Sequence, residues 1–286
     1  MRRHLLLLAA LIMVTDSSSA EDLVISEIIH YTGTIGNVGT SIVLEQTNNS
    51  VRGNLRYINS DDSPIMLAGS LKKQNINLKA LRDNSVTARI KAEIKDDGMI
   101  DGTWEGEERH QIQIAPSSKS FNETIIDIGL NGTSLIVMPK NGPEQIIPIS
   151  VLTDSVSVVF EDFTFDGYAD MRILELEAGG NSSYIYFEYL PSANAFVKAR
   201  AEISNLTNPL VIHGKKLITG LIKDGCCRYS ATIVDAGKTY SAEYDYLSES
   251  GKEIITDSAS GLKSQAPITK QVFEENYLTV IQKGNL

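Results

Sequence analysis

The densest chemistry in the chain is a run of oxygen-bearing side chains at Asp162, Thr164, Asp166 and Asp170, with Gly167 inside it. Carboxylates favour hard cations, and this order follows the first nine positions of a calcium loop, D-x-D/N-x-D-G-x-x-D, where glycine lets the chain reverse. The expected cofactor is Ca²⁺, held by Asp162, Thr164, Asp166 and Asp170, with Tyr168 giving its carbonyl oxygen. Two positions depart from the pattern. Thr164 stands where Asp or Asn is usual, and Ile173 stands at the twelfth position, where a bidentate Glu belongs. Met171 to Leu174 also reads as a strand rather than a helix. The same residues make an acidic β-turn held by Asx hydrogen bonds without metal, and the sequence leaves both readings open.

Other reactive groups are sparse. The two cysteines are neighbours, Cys226 and Cys227, so no disulfide framework spans the chain. Adjacent Cα atoms lie about 3.8 Å apart, below the usual disulfide range of about 4.4–6.8 Å. The pair reads as a strained vicinal disulfide, as two small core residues, or as an exposed pair open to redox exchange. Of the four histidines, none sits in a catalytic motif, and G-x-S-x-G, H-E-x-x-H and P-loop patterns are missing. Glu105, Glu107, Glu108 and the carboxylates near Glu161 could in principle supply a glycosidase-like acid and base; a solvated acidic turn accounts for them better. The expectation is a binding protein rather than an enzyme.

The elements that must position these groups are strands. Period-two alternation recurs at Ile25–Thr32, Ser41–Gln46, Val51–Tyr57, Ile65–Leu71, Ile76–Leu81, Thr87–Ile94 and Met99–Trp104, with turn residues between them. It resumes from Thr124 to Tyr246, past a polar stretch at Pro116–Asn122. The predicted class is all-β: an antiparallel meander forming a propeller-like or two-part sandwich or barrel architecture. The expected divisions are 1–20, 21–118 and 119–286. Ser248–Ala266 reads as loop, Gln271–Gln282 as a last strand or short helix, and Trp104 as core.

The first twenty residues set the compartment. Arg2, Arg3 and His4 precede an apolar run from Leu5 to Val14, and Ser18 and Ala20 offer a peptidase site, which together make an export signal. Ten apolar residues are half of the roughly 20 that span a bilayer, so cleavage after Ala20 and a soluble, not membrane-spanning product are expected. The chain carries a net charge of −10. That excludes a phosphate-neutralising nucleic-acid binder and favours a basic partner.

A family resemblance rests on an ordered series. Asp162 to Asp170, reading DFTFDGYAD, is followed by Tyr184 to Leu190, reading YIYFEYL, then by Phe196, Val197, Leu206 to Pro209, and Gly225-Cys226-Cys227. The series resembles bacterial periplasmic proteins with a propeller-like C-terminal region, whose NFDGY-x-D loop precedes a tyrosine-rich strand. It covers residues 155–245 well and the rest loosely. Members of that family look like inhibitors of I-type lysozymes and serve as immunity proteins against peptidoglycan-cleaving toxins delivered by secretion systems. The resemblance implies a periplasmic location, a peptidoglycan hydrolase toxin as partner, and a loop that plugs the toxin's cleft, with Tyr168 as the partner-binding residue. The competing expectation is an exported calcium-binding adhesive or structural β protein with FG-GAP-like loops.

Overall fold

Alternating apolar and polar residues close the first half of the chain into a barrel. The computed structural model describes residues 22–60, 62–235 and 237–285, so the expected export signal at 1–20 lies outside the described residues. Eight antiparallel strands follow one another: β1 (Asp22–Ile35), β2 (Val38–Thr47), β3 (Ser50–Tyr57), β4 (Ile65–Lys72), β5 (Asn75–Arg82), β6 (Ser85–Ile94), β7 (Ile100–Glu105) and β8 (Arg109–Pro116). The end of β1 then pairs with β8, Gly33 opposite Ile114, and no open edge remains there. In β5, Ile76, Leu78 and Ala80 point inward while Asn75, Asn77 and Lys79 face out. Leu55, Leu67, Ile90, Trp104 and Ile112 fill the interior. The outer positions of β5 thus carry polar and charged groups.

Two glycines let the strands approach closely. A Cβ on Gly53 would stand 2.0 Å from the Val43 carbonyl oxygen, and one on Gly69 would stand 1.9 Å from that of Asn77. Only hydrogen fits there.

The barrel is joined to the second half through β1, a strand of 14 residues. Its first half pairs in parallel with β12 (Ser155–Glu161), from Asp22 opposite Ser155 to Ile28 opposite Glu161. This parallel joint departs from the antiparallel meander expected. From β12 the sheet continues through β13 (Asp170–Ala178), β14 (Asn181–Leu190) and β15 (Ala195–Lys198). A small sheet of β9 (Ile125–Asn131), β10 (Ser134–Pro139) and β11 (Gln145–Pro148) covers one face. Val137, Val158, Phe160, Met171 and Phe196 are buried in that layer. The linker docks as well: Glu27 accepts from the Phe121 amide at 2.7 Å and from the Ser120 hydroxyl at 3.1 Å.

A six-stranded sheet completes the fold: β16 (Leu210–Ile212), β17 (Leu217–Asp224), β18 (Arg228–Val234), β19 (Lys238–Asp245), β20 (Ser250–Asp257) and β21 (Lys263–Ile268). The polar tail expected as loop from Ser248 to Ala266 therefore contains two strands. The side chains of β21 largely face water and those of β20 are mostly half-buried, and the ladder with β19 consumes backbone groups that composition does not report. After β21 the chain is helical, through Lys270–Phe273, a π-helical turn at Glu274–Leu278, and Thr279–Asn285. Phe273, Tyr277 and Ile281 recur every four residues and are buried on the sheet. No helix among the described residues is long and apolar enough to cross a membrane.

Candidate functional site

The loop between β12 and β13, with Asp170 at the start of β13, contains the residues expected to hold Ca²⁺ and the tyrosine expected to meet a partner. Glu161 pairs with Asp170 at its base, so residues 162–169 arch over the strand ends. Phe163 anchors the arch, fully buried and edge-on to Tyr186 at 5.7 Å. Phe165 adopts φ +62° and Gly167 φ +89°, the two left-handed residues that reverse the chain.

Inside the arch the carboxylates hold backbone N–H groups. Asp162 accepts from the Asp166 amide at 3.2 Å and the Gly167 amide at 3.0 Å. Asp166 accepts from the Tyr168 amide at 2.9 Å. Asp170 is buried completely. One of its oxygens accepts from the amides of Phe163 at 3.1 Å and Thr164 at 2.9 Å, and from the Thr164 hydroxyl at 2.9 Å. Its other oxygen accepts from the Tyr189 amide of β14 at 2.9 Å. The loop is thus braced from within and tied to the sheet.

Burial works against this concentration of negative charge. It raises Asp162 to a pKa of about 6, although the Gly167 amide opposes the shift and the Asp166 charge adds to it. Burial raises Asp170 to about 8, opposed by the Tyr189 and Thr164 donors and reinforced by Asp162. A cation at the loop would relieve both. All the donors are oxygen, the chemistry Ca²⁺ requires. As the chain folds here, however, those oxygens are engaged by amides, and among the described residues no three His, Cys, Asp or Glu side chains stand at metal-holding spacing.

Tyr168 does not project freely. Its ring is half-buried, 5.6 Å from the Tyr189 ring, with the Lys119 ammonium 4.7 Å above its centroid and 3.4 Å from its hydroxyl. The Lys119 amide also donates to the Gly167 carbonyl at 2.9 Å. Asp166 is exposed beside this group. The outer face of the loop therefore offers one carboxylate, one ammonium and a fixed aromatic ring.

Beneath it lie groups of another kind. Glu161 and Arg172 form a buried ion pair, and the guanidinium lies 5.4 Å from the centre of the Tyr184 ring. Glu161 is thereby committed to Arg172. Phe165 reaches the His213 ring edge-on at 5.7 Å, and His213 stacks on His30 at 4.9 Å with planes 4° apart. His30, buried on β1, meets the Ser41 hydroxyl at 2.8 Å.

Sequence reading missed Lys119, His30 and His213 as neighbours of this loop. Lys119 lay in a polar linker with no motif of its own. Neither histidine had a nearby cysteine, histidine or carboxylate pattern to mark it. Tyr189 was visible as part of the tyrosine-rich strand; its amide contact with Asp170 was not.

No protein-family model matches the chain, and neither a curated protein nor a solved structure matches it significantly.

Proposed function

We propose that this chain is an exported immunity protein that binds a lysozyme-like peptidoglycan hydrolase and blocks its cleft with the 162–170 loop. The observation that carries this reading is the internal bracing of the loop. Its hydrogen bonds are met by its own carboxylates, so it presents Asp166, Tyr168 and Lys119 at little ordering cost when a partner arrives. Loops held by a rigid scaffold are where binding residues concentrate. The net charge of −10 would draw a basic muramidase by long-range steering. The ordered resemblance from Asp162 to Cys227 points to the same class of partner and to a periplasmic location.

Ca²⁺ enters this proposal as a stabiliser of the loop. Asp162, Thr164, Asp166, Asp170 and the Tyr168 carbonyl would hold it, and the ion would offset the repulsion between the carboxylates. No turnover by this chain is part of the proposal.

Competition tests the plug. Calorimetric titration of a lysozyme-type hydrolase with the protein should give one saturable site, and a soluble peptidoglycan fragment filling the cleft should abolish it. Binding that survives a filled cleft would place the contact elsewhere on the hydrolase.

A further inference from the structure

We propose that Cys226 and Cys227 form a thiol–disulfide exchange site, which takes two electrons from a dithiol and returns them to a disulfide. The two residues are bonded to each other at the tip of the β17–β18 hairpin. This proposal does not rest on the inhibitory reading.

Three features of the hairpin carry it. First, the bond joins sequence neighbours. A disulfide stabilises a fold chiefly by closing a loop in the unfolded chain, and this one closes none. Second, the hairpin is held by other contacts. Lys223 pairs with Tyr229 and Asp224 with Arg228 across it, and the Tyr246 amide donates to the Cys227 carbonyl at 2.9 Å. Arg228 reaches Asp224 at 3.8 Å and Asp245 at 3.5 Å. Opening the bond therefore leaves the ladder in place. Third, the bond is accessible. Cys226 is exposed and Cys227 partly so, and the space around Gly225 is empty. Exposed disulfides are the labile ones.

The exchange balances without any further reagent. A thiolate of the dithiol attacks the Sγ of Cys226, the more exposed sulfur, and the Sγ–Sγ bond breaks. Cys227 leaves as a thiolate and takes up a proton. The second thiol of the reductant, deprotonating as it reacts, then attacks its own sulfur in the mixed disulfide and releases Cys226 as a thiolate, which is protonated in turn. The dithiol has become a disulfide and the chain carries two thiols. The reverse sequence reoxidises the pair.

The test is intact-mass spectrometry after alkylation of the full folded chain. Protein isolated from an oxidising compartment should take up no alkyl group. After native incubation with dithiothreitol it should take up two, at Cys226 and Cys227, with the unfolding midpoint moved by less than about 2 °C. In glutathione buffers, peptide mapping should place the mixed disulfide on Cys226. Three results would each overturn the proposal: two free thiols in the protein as isolated, reduction that needs denaturant, or melting of the six-stranded sheet on reduction. The Cys226→Ser/Cys227→Ser variant separates the last outcome from reductant damage, since it should melt with the wild type if the bond is not a staple.

Discussion

With three amides and a hydroxyl converging on its two oxygens, Asp170 holds both ends of the 162–170 loop and ties it to β14. Asp170→Ala would leave the Phe163, Thr164 and Tyr189 amides unpaired. Each orphaned donor costs about 1–3 kcal/mol, so the variant should lose about 3 kcal/mol or more. A lower midpoint in urea at unchanged slope would record it; wild-type stability would mean that water replaces the carboxylate. Asp166→Ala removes one bond from an exposed side chain and should cost about 1 kcal/mol. Tyr168→Ala should weaken hydrolase binding by about 2 kcal/mol. Its stability loss should be about 1 kcal/mol, because the ring contacts Tyr189 and Lys119. The residue types and spacing of this loop were legible in the sequence. What they hold was not, since Asp170 reaches Tyr189 across 19 positions and Tyr168 meets Lys119 across 49.

Strands β12 and β13 bring Glu161 and Arg172 together in the interior. Breaking such a pair costs more than replacing it, because a lone buried charge is left behind. Glu161→Leu should therefore lose about 3–5 kcal/mol, and adding Arg172→Met should restore most of it. A double-mutant cycle in denaturant reads the difference; equal losses for single and double variants would contradict it. In the barrel, Gly69→Ala would place a methyl 1.9 Å from a backbone oxygen. The strands must separate to admit it, at a cost of about 1–3 kcal/mol. Barrel strands could be read from alternation alone, as at Ile76, Leu78 and Ala80. Closure could not, because β1 meets β8 and β12 through pairings more than 70 residues apart along the chain. β20 and β21 escaped notice for a different reason. β20 lies between β19 and β21 with most of its side chains half-buried and no clean alternation, while at the edge strand β21 Lys263 to Pro267 expose their side chains to water.

Barrel, loop and six-stranded sheet meet at the stacked rings of His30 and His213 and the edge of Phe165. Burial lowers both histidines from 6.5 to about 4, and the neighbouring His213 charge adds to the shift at His30. His30 Nδ1 and His213 Nε2 have no hydrogen-bond partner among the described residues, so protonation gains nothing there in the folded chain. The unfolded chain takes up these protons near pH 6.5 and the folded chain only near pH 4. Stability from the pair is thus complete above pH 6.5 and declines as pH falls to about 4. Asp162 and Asp170 act in the opposite sense, keeping protons that the unfolded chain releases near 3.8, and their contribution fades as pH rises through about 6 and 8. Comparing wild type with His213→Phe isolates the histidine effect. The variant's stability should fall less between pH 6.5 and 4, and parallel profiles would contradict the assignment. Ca²⁺ should raise the unfolding midpoint and a chelator should lower it, by an amount set by mass action; Asp162→Asn should remove the response, and a wild type indifferent to both would exclude the ion. The function proposed for the whole molecule is inhibition, and release of dye from labelled peptidoglycan by a lysozyme-type hydrolase reads it most directly. Titration with the chain beginning at Glu21 should drive release to zero near one equivalent, with Tyr168→Ala requiring a large excess. Full release at saturating protein, for every lysozyme-type hydrolase tested, would contradict the account.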